Sequence, residues 1–129
     1  MSKILLVEDN ELSRDMLSRR LQRRGHTVLT ANDGEQARKL ATSELPHLIL
    51  MDIGLPDTDG WEVTKFLRAT ELTKRIPIIA LTAHALVSDR QKAFEVGCDD
   101  YDTKPVDWER LTQKIDALLS ARLCHEVSS

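Results

Sequence analysis

The sequence predicts an α/β domain: a parallel sheet of five strands covered by helices on both faces. Three observations predict it. Short, wholly apolar runs such as Ile4-Leu5-Leu6-Val7 and Leu48-Ile49-Leu50-Met51 have the character of strands buried on both sides. Segments of helical length follow them and stop at turn-forming residues such as Gly25 and Gly97. Strand and helix signals then alternate five times along the chain, which calls for a parallel sheet between helical layers, joined by right-handed crossovers.

Each element can be justified in order. Ile4 to Val7 is the first strand, and a helix from about Glu11 to Arg24 ends at Gly25. Thr27 to Ala31 is a weaker strand. Asn32-Asp33-Gly34 turns the chain into a helix from Glu35 to about Thr42. Leu48 to Met51 is the third strand and ends at Asp52. The loop Asp57-Thr58-Asp59-Gly60 leads into a helix reaching about Thr70. Pro77 precedes the fourth strand, Ile78 to Leu81. Ser88 or Asp89 is the expected cap of a helix running to Val96. Asp100 to Thr103 is a short fifth strand, and Asp107 caps a last helix with Leu111, Ile115, Leu118 and Leu119 on one face. Strands one, three and four are the most apolar and belong at the centre of the sheet.

Length and composition narrow the function classes. The 129 residues fit one domain, expected over 1–121, with 122–129 as a short C-terminal tail. Apolar residues make up 41% and charged residues 30%, enough for a core and a solvated surface. The net charge of −3 gives no basic excess of the kind nucleic acid demands, so direct nucleic-acid binding is not expected. The nearly apolar run from Ile78 to Val87 is about half of what a bilayer span requires, and Glu8 and Asp9 interrupt the N-terminus too early for a signal peptide. Cys98 and Cys124 show no metal-binding spacing and read as thiols of a reducing cytoplasm.

In a sheet of this kind the working site lies beyond the carboxyl ends of the strands. Glu8, Asp9 and Asn10 follow strand one, and Asp52 ends strand three. Thr82 follows strand four, and Lys104-Pro105 follows strand five. Carboxylates crowded together repel, and one would take up a proton. A divalent cation relieves that repulsion, and Mg2+ prefers oxygen ligands while leaving room for a phosphate. A lysine adds a second positive charge, a hydroxyl can hold a phosphoryl oxygen, and an aspartate can be the nucleophile of an acyl phosphate. The cluster therefore reads as a place to make and hold phosphoaspartate, mainly by positioning and charge neutralisation.

The segments KILLVEDN, LILMDIGLPDTDG, IIALTA and YDTKP resemble the receiver domain of bacterial two-component response regulators, over residues 3 to about 121. The resemblance implies a doubly wound, flavodoxin-like (βα)5 fold with strand order 2-1-3-4-5. It implies Asp52 as phosphoacceptor and Mg2+ held by Glu8, Asp9, Asp52 and the backbone carbonyl of Gly54. It also implies Thr82 and Lys104 on the phosphoryl oxygens, Tyr101 as the aromatic switch, and a cis peptide bond before Pro105. The implied partners are a sensor histidine kinase or histidine phosphotransfer protein and a downstream effector protein, with output through the face of helix four, strand five and helix five. The chain would be a cytoplasmic signalling switch, monomeric or dimerising on phosphorylation, and would act on no external substrate.

Some positions stay open. Gly54 brings no side chain to the phosphoryl group, and His84 either tunes its lifetime or is a solvated imidazole. Trp61 and Trp108 read as packing at the layer edges, and Cys98 as a buried filler. His26, His47 and His125 read as surface residues. Arg14, Arg19, Arg20, Arg23 and Arg24 form a solvated helix face or steer an acidic helical partner. The stand-alone receivers of the CheY and DivK type are the nearest architecture. The alternatives are a receiver cut from a larger hybrid kinase or DNA-binding regulator, a pseudo-receiver without the chemistry, and an aspartyl-phosphate phosphatase. The last usually carries a second acid two residues beyond the nucleophile, where this sequence has Gly54.

Overall fold

The computed structural model describes residues 2–83 and 87–128, with side chains of Val87 and 122–128 left aside. Its elements alternate as expected: β1 (Lys3–Val7), α1 (Glu11–Arg23), β2 (Thr27–Ala31), α2 (Gly34–Glu44), β3 (Leu48–Asp52), α3 (Gly60–Ala69), β4 (Ile78–Thr82), α4 (Val87–Val96), β5 (Asp100–Thr103) and α5 (Trp108–Ser128). The strands form one parallel sheet in the order β2-β1-β3-β4-β5, the doubly wound, flavodoxin-like arrangement.

Strand periodicity divides the core in two. On one face Leu5, Val7, Ile49, Met51, Ile78 and Ala80 pack against α2, α3 and α4 through Ala37, Ala41, Val63, Leu67 and Ala93. On the other, Ile4, Leu6, Leu48, Leu50, Ile79 and Leu81 meet Leu17 and Leu21 of α1 and Leu111 and Ile115 of α5. The runs on β1, β3 and β4 are apolar throughout because each has helices on both sides.

The differences from the sequence reading lie at element ends. Asp52 and Thr82 belong to their strands. Helix α2 extends to Glu44, and Leu45 closes it at a left-handed φ of 47°. Ser88 and Asp89 are not caps: both lie inside the first turn of α4, which opens at Val87. Helix α5 continues to Ser128, through the residues expected to form a tail. Gly25 and Gly97 end α1 and α4 with φ of 93° and 103°.

Candidate functional site

All five strands run the same way, so their carboxyl ends share one rim of the sheet. The register places Asp52 beside Leu81 and Thr82 beside Thr103. The Ile53 N–H donates to Leu81 O at 3.0 Å and the Lys104 N–H to Thr82 O at 2.8 Å, so the chain leaves three strands at nearly one height. The Lys104–Pro105 peptide bond is cis.

The side chains then converge. Glu8 is 0% exposed, Asp52 4% and Thr82 5%. Lys104 Nζ donates to Glu8 Oε1 at 2.8 Å and lies 3.3 Å from Asp52 Oδ2. Carboxylate oxygens of Glu8, Asp9 and Asp52 come within 4.8 Å of one another. Burial pushes the Asp52 carboxyl above the ordinary range, and the facing Glu8 adds to this more than Lys104 takes away. Burial alone would lower the Lys104 ammonium, but its bonds and charges toward Glu8 and Asp52 outweigh that and raise it. One ammonium thus faces a rim of three acids. The donor set, all hard oxygens with a net negative charge, fits a Mg2+ ion.

Local sequence fixes each contributor. Asn10 caps α1 by accepting from the Ser13 N–H at 3.0 Å, and its own N–H donates to Glu8 Oε2 at 3.3 Å. Arg14, one turn into α1, donates to the Glu8 carbonyl at 3.0 Å and sits 3.5 Å from that of Asp9. Asp59 caps α3 through the Glu62 N–H at 2.8 Å. Gly60 then has no room for a side chain: a Cβ would lie 2.5 Å from Asp52 O and 2.8 Å from Ile53 Cα. The Gly54 N–H donates to Asp52 Oδ1 at 3.1 Å, and a Cβ at Gly54 would meet nothing closer than that oxygen at 4.0 Å.

The remaining predicted residues fall in several places. Tyr101 is half-buried on β5, with Phe94 edge-on at 6.4 Å and Lys114 Nζ over its ring at 5.3 Å. His84 lies outside the described residues, as do the side chains of Cys124 and His125. Trp61 and Trp108 pack at the edges of the two core layers. Cys98 is buried, which pushes its thiol up to about 11. His26 and His47 are half-buried rather than surface residues, because both sit at the bottom of the sheet where chain segments cross; His47 Nδ1 accepts the Lys3 N–H at 2.8 Å. Of the arginines on and just after α1, Arg19 pairs with Asp15, Arg24 with Asp116, and Arg20 lies over Trp108.

Sequence reasoning missed three polar residues. Asp102, 2% exposed on β5, pairs with Arg110 at 2.6 Å and faces Lys114 at 4.0 Å. Arg68 joins the ends of α3 and α4 to the approach to β4, and Asp57 reaches from the β3–α3 loop to α2. The alternation of Tyr101, Asp102 and Thr103 signals an inward position for Asp102, but nothing local names its partner.

Known proteins agree with this geometry. The response regulator receiver domain family matches residues 4–116. The chain is 43% identical over 117 residues to the alkaline phosphatase synthesis transcriptional regulatory protein PhoP of Bacillus subtilis, covering 91% of this chain and 48% of PhoP. It is 37% identical over 116 residues to the polar-differentiation response regulator DivK of Brucella ovis, covering 90% and 94% respectively. The chain spans about half the length of PhoP and of the Synechocystis transcriptional regulator RpaA, at 49% of the latter. Among solved structures, the receiver domain of the Pseudomonas aeruginosa sensor histidine kinase PA1611, with magnesium in its active-site cleft, superposes with a TM-score of 0.85 at 38% identity, over 92% of this chain and 98% of that one. Vibrio cholerae CheY4 gives 0.86 at 31% identity, with the same coverage. The acid rim, the lysine beyond β5 and these matches together show that the chain belongs to the response regulator receiver domain family.

Proposed function

We propose that the domain is a phosphoacceptor switch in which Asp52 takes a phosphoryl group from a phosphohistidine of a sensor histidine kinase or histidine phosphotransfer protein. The observation that carries this reading is the buried Asp52 carboxylate, held between Glu8 and the Lys104 ammonium beside a ready set of oxygen ligands. A carboxylate oxygen attacks phosphorus, an O–P bond forms as the N–P bond breaks, and the imidazole nitrogen leaves with the electron pair. Glu8, Asp9, Asp52 and the Gly54 carbonyl would hold Mg2+, which supplies charge neutralisation when bound. Lys104 and Thr82 hold the phosphoryl oxygens. Gly54 offers no side chain to cover them, so water approaches from that side, and His84 tunes the lifetime.

The phosphoryl group adds charge and strong acceptors at the rim. Thr82 and Lys104 move toward it, Tyr101 rotates inward, and the α4, β5 and α5 face shifts between two packed states. A downstream effector protein reads that face, in the cytoplasm, with the chain monomeric or dimerising on phosphorylation. The donor protein docks near α1 and the segment after Pro105, where the exposed Met16 lines a cavity with Ser13 and Val106. The identities to PhoP and RpaA support a second reading, in which the same switch is the receiver part of a longer regulator. No helix among the described residues is long and apolar enough to cross a membrane. Incubation with Mg2+ and acetyl phosphate tests the chemistry. Wild type is expected to gain a hydroxylamine-sensitive label that Asp52→Asn does not; an unlabelled wild type refutes the proposal.

A further inference from the structure

The loop after the acceptor leaves β3 at Asp52 and enters α3 at Gly60. Its near end is held by short-range bonds, Gly54 N–H to Asp52 Oδ1 and Leu55 N–H to Ile53 O, both at 3.1 Å. Its far end is held across the molecule. Asp57 Oδ1 accepts the Gly34 N–H at 2.8 Å and Oδ2 accepts the Glu35 N–H at 3.1 Å. These are free donors of the first turn of α2, whose own cap Asp33 reaches only the Gln36 N–H, at 2.8 Å. The first turn is therefore capped from two sides, once by its own chain and once by the acceptor loop. The bonds to Gly34 and Glu35 hold the Asp57 carboxyl below the ordinary carboxylate range. Gly34 makes the contact possible: a Cβ there would lie 2.4 Å from Thr58 Cγ2 and 3.2 Å from Asp57 Oδ1.

We propose that Asp57 is a positioning residue for phosphoryl transfer: by bracing the acceptor loop on the first turn of α2, it fixes Gly54 against Asp52. This rests on the reading of Asp52 as phosphoacceptor. Without the brace the loop is tied only at its two ends, by Ile53 N–H to Leu81 O at 3.0 Å and Gly60 N–H to Ile53 O at 2.8 Å, besides its local bonds, and ordering its middle for the reaction costs more conformational entropy. The brace also links the acceptor to α2, beside the β2 edge of the sheet and away from β5.

The test compares wild type, Asp57→Ala and Asp57→Asn as full chains. NMR amide exchange is read at Gly34, Glu35 and Gly54 without metal, and the initial rate of acetyl phosphate labelling is read with Mg2+. Asp57→Ala is expected to speed exchange at all three amides and to slow labelling by about threefold, the scale of a lost exposed hydrogen bond. Asp57→Asn, which keeps an acceptor oxygen, restores part of both. A lower unfolding midpoint with unchanged Gly54 exchange and unchanged labelling would mean that Asp57 only caps α2, and would overturn the proposal. If wild type takes no label, the phosphoacceptor reading fails on its own, and the Gly54 exchange ratio still decides whether Asp57 positions the loop.

Discussion

Replacing Lys104 by methionine removes the cation that pairs with both Glu8 and Asp52 while keeping most of the side chain's volume. Breaking a buried ion pair from one side costs on the order of 3–5 kcal/mol, because the partner is left charged and desolvated. Glu8 is fully buried, but the Lys104 side chain is 27% exposed and the rim is open to solvent, which reduces the figure to about 2 kcal/mol. With a urea slope of about 2 kcal/mol/M, the unfolding midpoint in metal-free buffer should fall by about 1 M. The loss should shrink when Mg2+ is added, because a divalent cation can supply the missing charge. It should also shrink in Lys104→Met/Glu8→Gln, where the fully buried Glu8 carboxylate is no longer stranded. The raised Lys104 ammonium means that its contribution is complete below the ordinary lysine pKa and is lost only as pH rises through the higher folded value. The difference between wild type and variant should therefore persist to about pH 9. A midpoint within about 0.2 M of wild type, or a double variant no better than the single one, would refute the reasoning.

Three further outcomes follow from the same geometry. Asp52→Asn should stabilise the metal-free protein at neutral pH: an acid whose folded pKa is raised binds more protons folded than unfolded, so its ionisation costs stability above the ordinary carboxylate range. The gain in melting midpoint should vanish near pH 3, and no gain at neutral pH would contradict the burial argument. Arg68 donates to Ile76 O at 2.6 Å and Gly97 O at 2.7 Å and pairs with Asp99 at 2.6 Å, so Arg68→Ala should lose about 3 kcal/mol in urea unfolding. Labelling at Asp52 should be unchanged, since these contacts lie at the amino ends of β4 and β5, and Arg68→Lys should recover little because a lysine cannot reproduce the fork. Gly60→Ala drives a Cβ into the backbone atoms of Asp52 and Ile53; a loss of about 2 kcal/mol or more is expected, with slower labelling, and wild-type behaviour would rule out the close approach.

The fold was legible because its signals are local. Ile4 to Val7, Leu48 to Met51 and Ile78 to Leu81 carry no polar residue, and only strands covered on both sides tolerate that. The rim was legible for a topological reason: parallel strands deliver whatever follows them to one edge, so Glu8, Asp9, Asp52, Thr82 and Lys104 could be grouped without knowing any distance. Their resemblance to a known motif then suggested roles that position alone does not carry. Caps and element ends were less legible, since Ser88 and Asp89 offer cap chemistry inside a helix that opens at Val87.

By itself the sequence determined the class of fold, the order of its elements and the set of groups on the rim, because hydrophobic period and chain direction depend on neighbours a few residues away. Only the tertiary structure decided which of those groups touch. Lys104 meets Glu8 across 96 residues, Arg68 meets Asp99 across 31, and Asp57 meets Gly34 across 23. Such pairs depend on how helices seat against the sheet, and that seating is a property of the whole packed core rather than of any segment.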